Sequence, residues 1–443
     1  MNQFSVDFGN ITGRIKPMHG VNNGPAAVRG MGNAPCFAEA GIPYARLHDS
    51  GFYAGYGGEH SVDVHALFRD FSADENDPAS YDFTLTDEYL RRIQAAGTKV
   101  FYRLGSKIEH EMKKYGTRVP EDFDKWARVC EHIIRHYNEG WADGLHLGID
   151  YWEIWNEPDC RNADGSNPCW QGTDEQFCDL FYVTLKHLKA CFPHLKIGGP
   201  AFCYVNEPFT RKLLDRLTQN GERVPLDFYS FHGYACDPAQ AAQAPAKARA
   251  LLDSYGYTGT ELIYNEWNYV RRWTPAEEIH YAYRVIKSLK GASFIAAMMC
   301  AMQKTPLDLF MYYDARPCSW NGMFDTSTLD PLKGYYPFRM FGELFRLGGE
   351  VKSTAQGDLY GCAATGEGRG AVMLTRYADV DEAADEDVRI VLHGLPEGAR
   401  LRWLLLDADK SMEKVREDRC FSHCLETTIP MKLFDTLLIK WER

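Results

Sequence analysis

Tyr151-Trp152-Glu153-Ile154-Trp155-Asn156-Glu157-Pro158 decides how the chain is read, and Leu262-Ile263-Tyr264-Asn265-Glu266-Trp267-Asn268 repeats its logic. Each is a short apolar run that closes on a Glu flanked by Asn and Trp. Pro158 stops the first run, because proline has no N–H to give to a strand ladder. In a regular strand Asn156 would point away from Glu157, so a bulge is expected there to bring both to one side. A single Glu of this kind reads most simply as a surface carboxylate. Two in the same Asn/Trp setting point to a working pair. Cleavage of a glycosidic bond asks for such a pair, one carboxyl to protonate the leaving oxygen and one to attack the sugar carbon or activate water.

Outward from these two runs, six more strand-like stretches are legible. With them the series is 17–22, 44–49, 99–105, 151–157, 196–200, 228–234, 262–268 and 308–315. Several are apolar on both faces, as buried parallel strands are. Helical stretches lie between them. Trp126, Val129, Ile133, Ile134 and Tyr137 recur at helical spacing. Thr173-Asp174-Glu175-Gln176 and Thr274-Pro275-Ala276-Glu277 read as capping boxes, and Gly97 and Gly291 as helix closures. Eight βα units predict an α/β fold, a (β/α)8 TIM barrel over residues 11–334. After about Tyr335 helical periodicity fades into short runs at 371–377, 388–392, 401–406 and 436–441. They predict a small C-terminal antiparallel β-sandwich domain over 335–443, joined by a strand from residues 1–10. The acidic stretch 379–387 reads as a solvated loop.

The 443 residues suffice for one large domain and a smaller one. A net charge of −12 argues against nucleic acid or an anionic membrane as partner. The N-terminal residues lack the apolar core of a secretory leader, and the longest apolar run, 292–302, is too short to span a bilayer. It is expected as a buried helix. The 13 cysteines are odd in number and scattered without a Cys-x-x-Cys pair, which fits a reduced, cytoplasmic protein. Cys160 with Cys169, and Cys420 with Cys424, are the pairs close enough in sequence for a disulfide. Aromatic residues at 13% supply rings for stacking on sugars and equally for a large core.

On Trp155-Asn156-Glu157-Pro158 and Asn265-Glu266-Trp267-Asn268 the chain resembles clan A of the glycoside hydrolases. Gly20-Val21-Asn22-Asn23, Arg46-Leu47-His48-Asp49, Tyr81-Asp82-Phe83, Phe231-His232-Gly233-Tyr234 and the stretch from Tyr313-Asp314 to Trp320 make it most like glycoside hydrolase family 39, the family of β-xylosidases and α-L-iduronidases. The resemblance covers nearly the whole barrel and little of the β domain. It implies that Glu157, at the end of strand four, is the acid/base and Glu266, at the end of strand seven, the nucleophile of a retaining hydrolase. Retention requires the two carboxyls about 5 Å apart. Asn156 would bind the sugar 2-hydroxyl. His232 and Tyr234, one face of strand six, would touch sugar hydroxyls and the nucleophile respectively, a packed aromatic pair being the alternative. On strand two, His48 would bind the glycon. Arg46 would keep Glu266 ionised or serve as a structural ion pair inside the barrel. Alternation turns Asp49 away unless that strand has ended. Trp320 is a stacking wall or a core residue.

Departures bear on the sugar. Asp159 stands where many members carry Asn, and Asn321-Gly322-Met323-Phe324-Asp325 lacks the paired acidic residues of the xylosidases. The loop 50–80, with Tyr53, Tyr56 and Gly55 to Gly58, would wall off the pocket and favour removal of terminal sugars. The expected activity is therefore β-xylosidase-like and exo-acting, with α-L-arabinosidase, α-L-iduronidase-like and β-glucosidase action as alternatives. A uronic acid would want a cation, for which Arg271 and Arg272 are near strand seven although they read as solvent-facing.

Two other classes compete. A metal-dependent barrel enzyme would draw ligands from His19, His48, Asp49, His232 and Asp314, with no His-x-His pair at the strand ends. His132 and His136, at helical spacing, read as solvent-facing on an outer helix. A silent carbohydrate-binding barrel would not need both Glu motifs. The expected partner is an oligosaccharide or glycoside substrate, without cofactor or metal and without nucleic acid or membrane. The sequence leaves a homo-oligomer open.

Overall fold

The computed structural model describes residues 1–28, 31–49, 61–382 and 385–443. Its centre is a closed barrel of eight parallel strands that neighbour one another in chain order. They are β1 (Gly20–Asn22), β2 (Tyr44–Arg46), β3 (Lys99–Leu104), β4 (Tyr151–Ile154), β5 (Lys196–Phe202), β6 (Phe228–His232), β7 (Glu261–Trp267) and β8 (Leu309–Tyr312). The runs that carry the two Glu motifs are the fourth and seventh.

Two-residue alternation fills the barrel in layers. Tyr44, Phe101, Tyr151, Phe228, Ile263, Leu309 and Met311 form an apolar plug at its N-terminal end. Two residues further along their strands, Arg46, Arg103, Glu153, Ser230 and Asn265 are all fully buried and polar. The outward residues, among them Tyr102, Trp152, Ile197, Tyr229, Leu262 and Phe310, join the core beneath the helices. A polar second layer therefore separates the plug from the open C-terminal mouth.

The helices follow the expected punctuation in part. Helix Phe123–Asn138 buries Trp126, Val129, Ile133, Ile134 and Tyr137. Thr173 caps helix Asp174–Cys191 with the reciprocal Thr173/Gln176 box. The second expected box is absent: the cap of helix Ala276–Ile286 is Pro275, with no side-chain hydrogen bond. Gly97, at φ +78°, closes helix Thr84–Ala95 through its N–H to Gln94. Gly291 instead lies in the first turn of helix Leu289–Gln303, which Ser288 caps. A Cβ there would sit 2.3 Å from the Val285 carbonyl, so the close helix–helix turn, rather than a helix end, explains this glycine. The apolar run 292–302 lies in this buried helix. No single helix among the described residues is long and apolar enough to cross a membrane.

The expected unit boundaries also shift. Helix Tyr336–Leu347 packs on helices Ala34–Ala40 and Leu289–Gln303, so helical structure continues beyond residue 334 and completes the barrel's outer ring. The N-terminal strand Gln3–Arg14 runs straight through the expected 10/11 junction. It joins eight C-terminal strands, β9 (Gly349–Ala355), β10 (Leu359–Gly366), β11 (Arg369–Arg376), β12 (Glu386–His393), β13 (Ala399–Leu406), β14 (Ser411–Cys420), β15 (Cys424–Met431) and β16 (Thr436–Glu442). Their order is β14-β13-β16-β11-β10-β9-(N-terminal strand)-β12-β15. All pairs are antiparallel except the N-terminal strand with β12. Phe8 and Trp441, four strands apart in that order, meet ring to ring at 5.3 Å. The sheet thus curls back on itself around Phe4, Val6, Leu392, Trp403 and Ile439. All 13 cysteines are free thiols, including the two pairs proposed above.

Candidate active site

Both Glu motifs break their strands, and the breaks aim the carboxyls. After Ile154 the backbone of Trp155 turns left-handed, φ +76°, followed by Glu157 at φ +48°. The Trp155 ring swings outward onto Trp126 and Trp170. Asn156 and Glu157 then both face the mouth, and the Glu157 N–H donates to the Ala201 carbonyl on β5 at 2.9 Å. In place of the bulge expected at Asn156, the strand ends at Ile154 and left-handed backbone at Trp155 and Glu157 carries Glu157 beyond the strand rather than at its end. A register shift lies in β7 between Tyr264 and Glu266. Alternation from Ile263 already turns Asn265 inward as part of the polar layer, and the shift lets Glu266 face the mouth as well. Nothing in the sequence of β7 announces it.

Converged in this way, one oxygen each of Glu157 and Glu266 and a nitrogen of His232 lie within 4.8 Å of one another. Burial pushes the Glu157 carboxyl up to about 8, with Cys160 and Asp159 adding to the effect. It is an acid at neutral pH. Around Glu266 the setting differs. Tyr234 donates its hydroxyl proton to Oε1 at 2.6 Å, Arg46 Nη1 lies 3.4 Å from Oε2 and His48 Nε2 3.7 Å from Oε2. Burial, and then Glu266 itself, hold the Tyr234 hydroxyl far above its ordinary range, so it stays a donor.

Arg46 is a structural ion pair inside the barrel and also reaches toward Glu266. Its Nε pairs with Glu153 at 2.7 Å, both groups being wholly buried, while Nη2 donates to Asn156 Oδ1 at 2.7 Å and Nη1 to Asn22 Oδ1 at 3.0 Å. Glu153 also accepts from Ser230 Oγ at 2.6 Å and Asn265 Nδ2 at 2.5 Å. The guanidinium therefore ties together the polar layer, the Asn beside the acid and the facing carboxylate. Because Asn156 Oδ1 is occupied, its Nδ2 stays buried with no protein partner among the described residues, as does His232 Nε2. Buried donors and acceptors are seldom left unpaired; two at one mouth mark where a polar ligand is gripped. Burial lowers the His232 imidazole to about 4, so it is neutral, with Nδ1 2.8 Å from Glu157 Oε1. The His of the His-x-Tyr pair thus contacts Glu157 and the Tyr contacts Glu266.

Strand β2 ends at Arg46, which frees Asp49 from strict alternation. Asp49 is buried against His48 at 3.0 Å, Arg316 at 3.2 Å and Lys107 at 3.6 Å. Burial alone would raise its carboxyl, but these cations outweigh it and hold Asp49 well below the ordinary range. Trp320 is half-buried at the rim, its ring 5.6 Å from Tyr234 and 5.8 Å from Trp273. Trp273, 56% exposed and 5.0 Å from Tyr234, completes an aromatic edge that the sequence reading missed. Its only signal was an aromatic residue in the loop after β7. Asn321 points inward and accepts from the Met323 and Phe324 N–H groups, so that loop offers no acid to the mouth. Asp159 staples two loops, accepting from Cys203 N–H and Asn206 Nδ2, both at 2.9 Å.

Several expectations are corrected. Arg271 does not face solvent: it binds Asp379 at 2.6 Å, and Asp379 also pairs with Lys290 at 2.9 Å, so the start of the acidic stretch is a latch between sheet and barrel. Arg272 is exposed. His136 is buried, stacked on Phe83 at 3.5 Å and bound to Asp87 at 2.9 Å. His19 is likewise buried beside Gly41, away from the mouth. Tyr53, Tyr56 and Gly55 to Gly58 lie outside the described residues.

The parallel eight-stranded barrel with facing glutamates carried after strand four and on strand seven is the arrangement in which the chain resembles clan A of the glycoside hydrolases. Comparison with known proteins sharpens it. Residues 53–256 match the model of Glycosyl hydrolases family 39. A β-xylosidase of Geobacillus stearothermophilus is 26% identical over 182 residues, 38% of this chain and 33% of that protein, so the chain matches about a third of its curated relative's length. The crystal structure of a glucosidase from Croceicoccus marinus superimposes with a TM-score of 0.80 at 23% identity, over 100% of this chain and 99% of that one. A GH39 enzyme from Xanthomonas axonopodis pv. citri gives 0.73 at 17% identity, over 99% and 97%. The two structures share the fold, and within the class the chain is most like glycoside hydrolase family 39.

Proposed function

We propose that the protein is a retaining glycoside hydrolase that removes a terminal sugar, β-xylosidase-like in its action. The approach of the two carboxyl oxygens to within 4.8 Å carries this reading. Retaining enzymes hold their carboxyls about 5–5.5 Å apart, whereas inverting ones need about 6.5–9.5 Å to admit a water. In this mechanism protonated Glu157 gives its proton to the leaving oxygen as Glu266 attacks the anomeric carbon. Once Glu266 is an ester its charge is gone, the Glu157 carboxyl is easier to ionise, and it takes a proton from the incoming water. Asn156 Nδ2 and His232 Nε2 are the groups for the sugar hydroxyls, and Trp273 and Trp320 the surfaces for ring stacking.

The family match and the β-xylosidase relative favour an exo-acting enzyme on a neutral sugar. The cations near the mouth, Arg316, Lys107 and Arg271, are each paired with an Asp, which speaks against a uronic acid. The free thiols fit a reducing, cytoplasmic setting. A panel of aryl glycosides, with product anomers followed by NMR, tests the proposal. The expected result is one preferred neutral glycon released with net retention; inversion, or release of oligosaccharide fragments alone from a long glycan, would overturn it.

A further inference from the structure

Three thiols crowd the Glu157 carboxyl, and none of them is itself a proton donor or nucleophile in the chemistry above. Cys160 and Cys169 lie on the loop after β4, and Cys203 directly after β5. The Asp159 staple draws these loops together. A Glu157 oxygen, Cys160 Sγ and Cys203 Sγ come within 4.8 Å of one another, and Cys169 Sγ lies 3.9 Å from Glu157 Oε2. None of the three is in a disulfide. A tetrahedral Zn2+ with Zn–S bonds of about 2.3 Å sets its sulfurs about 3.8 Å apart, well inside that span.

We propose that Cys160, Cys203 and Glu157 form a binding site for a thiophilic divalent cation, Zn2+ being the type, and that its occupation silences the acid/base. On binding, each thiol and the Glu157 carboxyl release their protons to solvent, and the freed lone pairs on sulfur and oxygen become metal bonds. A Glu157 oxygen supplies the third bond, and Cys169 or a water the fourth. A carboxylate held in this way cannot carry the proton the leaving group needs. Two sulfur donors select Zn2+ over Mg2+ or Ca2+, which take oxygen. A comparable trio, Glu131, His187 and Cys191, is a poorer candidate because Arg135 already holds Glu131 at 2.7 Å. The silencing rests on the glycosidase reading; the metal site does not.

The test therefore has two arms, both on the whole protein freed of metal. Titration with Co2+ should give a thiolate-to-cobalt charge-transfer band in the near ultraviolet at one equivalent, displaced by Zn2+. The Cys160→Ser/Cys203→Ser variant, its fold checked by circular dichroism, should lose the band. In the activity arm Zn2+ but not Mg2+ should suppress aryl-glycoside turnover, with recovery in a chelator. Measured against its own metal-free rate, the double variant should need at least about 100-fold more Zn2+ for the same inhibition, since losing two ligands costs more than losing an outer-shell partner. Should that variant not fold, Cys160→Ser alone must weaken the band. No band, or one unchanged in the variants, overturns the proposal. Inhibition without a band would move the metal to Glu157, His232 and Glu266, and overturns it equally. A band in a protein inactive on every glycoside supports the metal site and sinks the glycosidase reading instead.

Discussion

Glu157 and Glu266 are the same amino acid, and their surroundings make them different. Glu157 sits among Cys160, Asp159 and a neutral His232, where burial raises its carboxyl to about 8. Glu266 sits under Arg46 and the Tyr234 hydroxyl. The sign of the pH effect follows: the acid is competent below its pKa, so kcat/KM should fall as pH rises through about 8. A profile flat to pH 10 would remove Glu157 from the acid's role. Glu157→Gln should cost about 10²–10⁴-fold on substrates with poor leaving groups, and little with a nitrophenolate that leaves unaided; equal losses on both would count against the assignment. Tyr234→Phe deletes a 2.6 Å hydrogen bond to a charged carboxyl. Such bonds are worth about 1.5–3 kcal/mol, so kcat should drop roughly 10- to 100-fold with the melting temperature little changed.

At the scale of elements, all eight strand-like runs proved to be barrel strands, because apolar runs of that length between capped helices admit few other readings. What stayed hidden was made by pairing rather than by composition. The bulge in β7 arises from its register against β6 and β8, and the residues Tyr264-Asn265-Glu266 carry no sign of it. Glu153 and Glu157 look alike along the chain, yet one is a wholly buried partner of Arg46 and the other lines the mouth. Helix Tyr336–Leu347 escaped because it begins at the point where helical periodicity is read as fading. Gly342 is there because a Cβ would lie 1.9 Å from the Ala40 carbonyl of the neighbouring helix. The buried pair yields a test. Arg46→Met strands the Glu153 charge in the barrel, and removing one partner of such a pair costs about 3–5 kcal/mol. Chemical denaturation should show that loss, and Glu153→Gln in the same chain should restore part of it. Trp273→Ala, at an exposed rim, should leave stability alone and raise KM for aryl aglycones.

Across the whole molecule, sheet and barrel are joined at the catalytic end. Asp379, from the loop after β11, binds Arg271, Tyr269 and Lys290, and Tyr377 donates its hydroxyl to the Cys236 carbonyl. Asp379→Asn should lower stability by about 1–3 kcal/mol and loosen the loop that carries Trp273, read as faster hydrogen exchange around residues 269–273. The curled sheet has a further consequence, for the order in which the protein can be made. Its N-terminal strand pairs with β9 and β12, 335 to 386 positions later in the chain. Phe4, Val6 and Phe8 must therefore stay uncovered until nearly the whole chain has been synthesised. The barrel between them can close first, and the sheet is completed only when this strand meets partners that lie beyond the barrel in the chain.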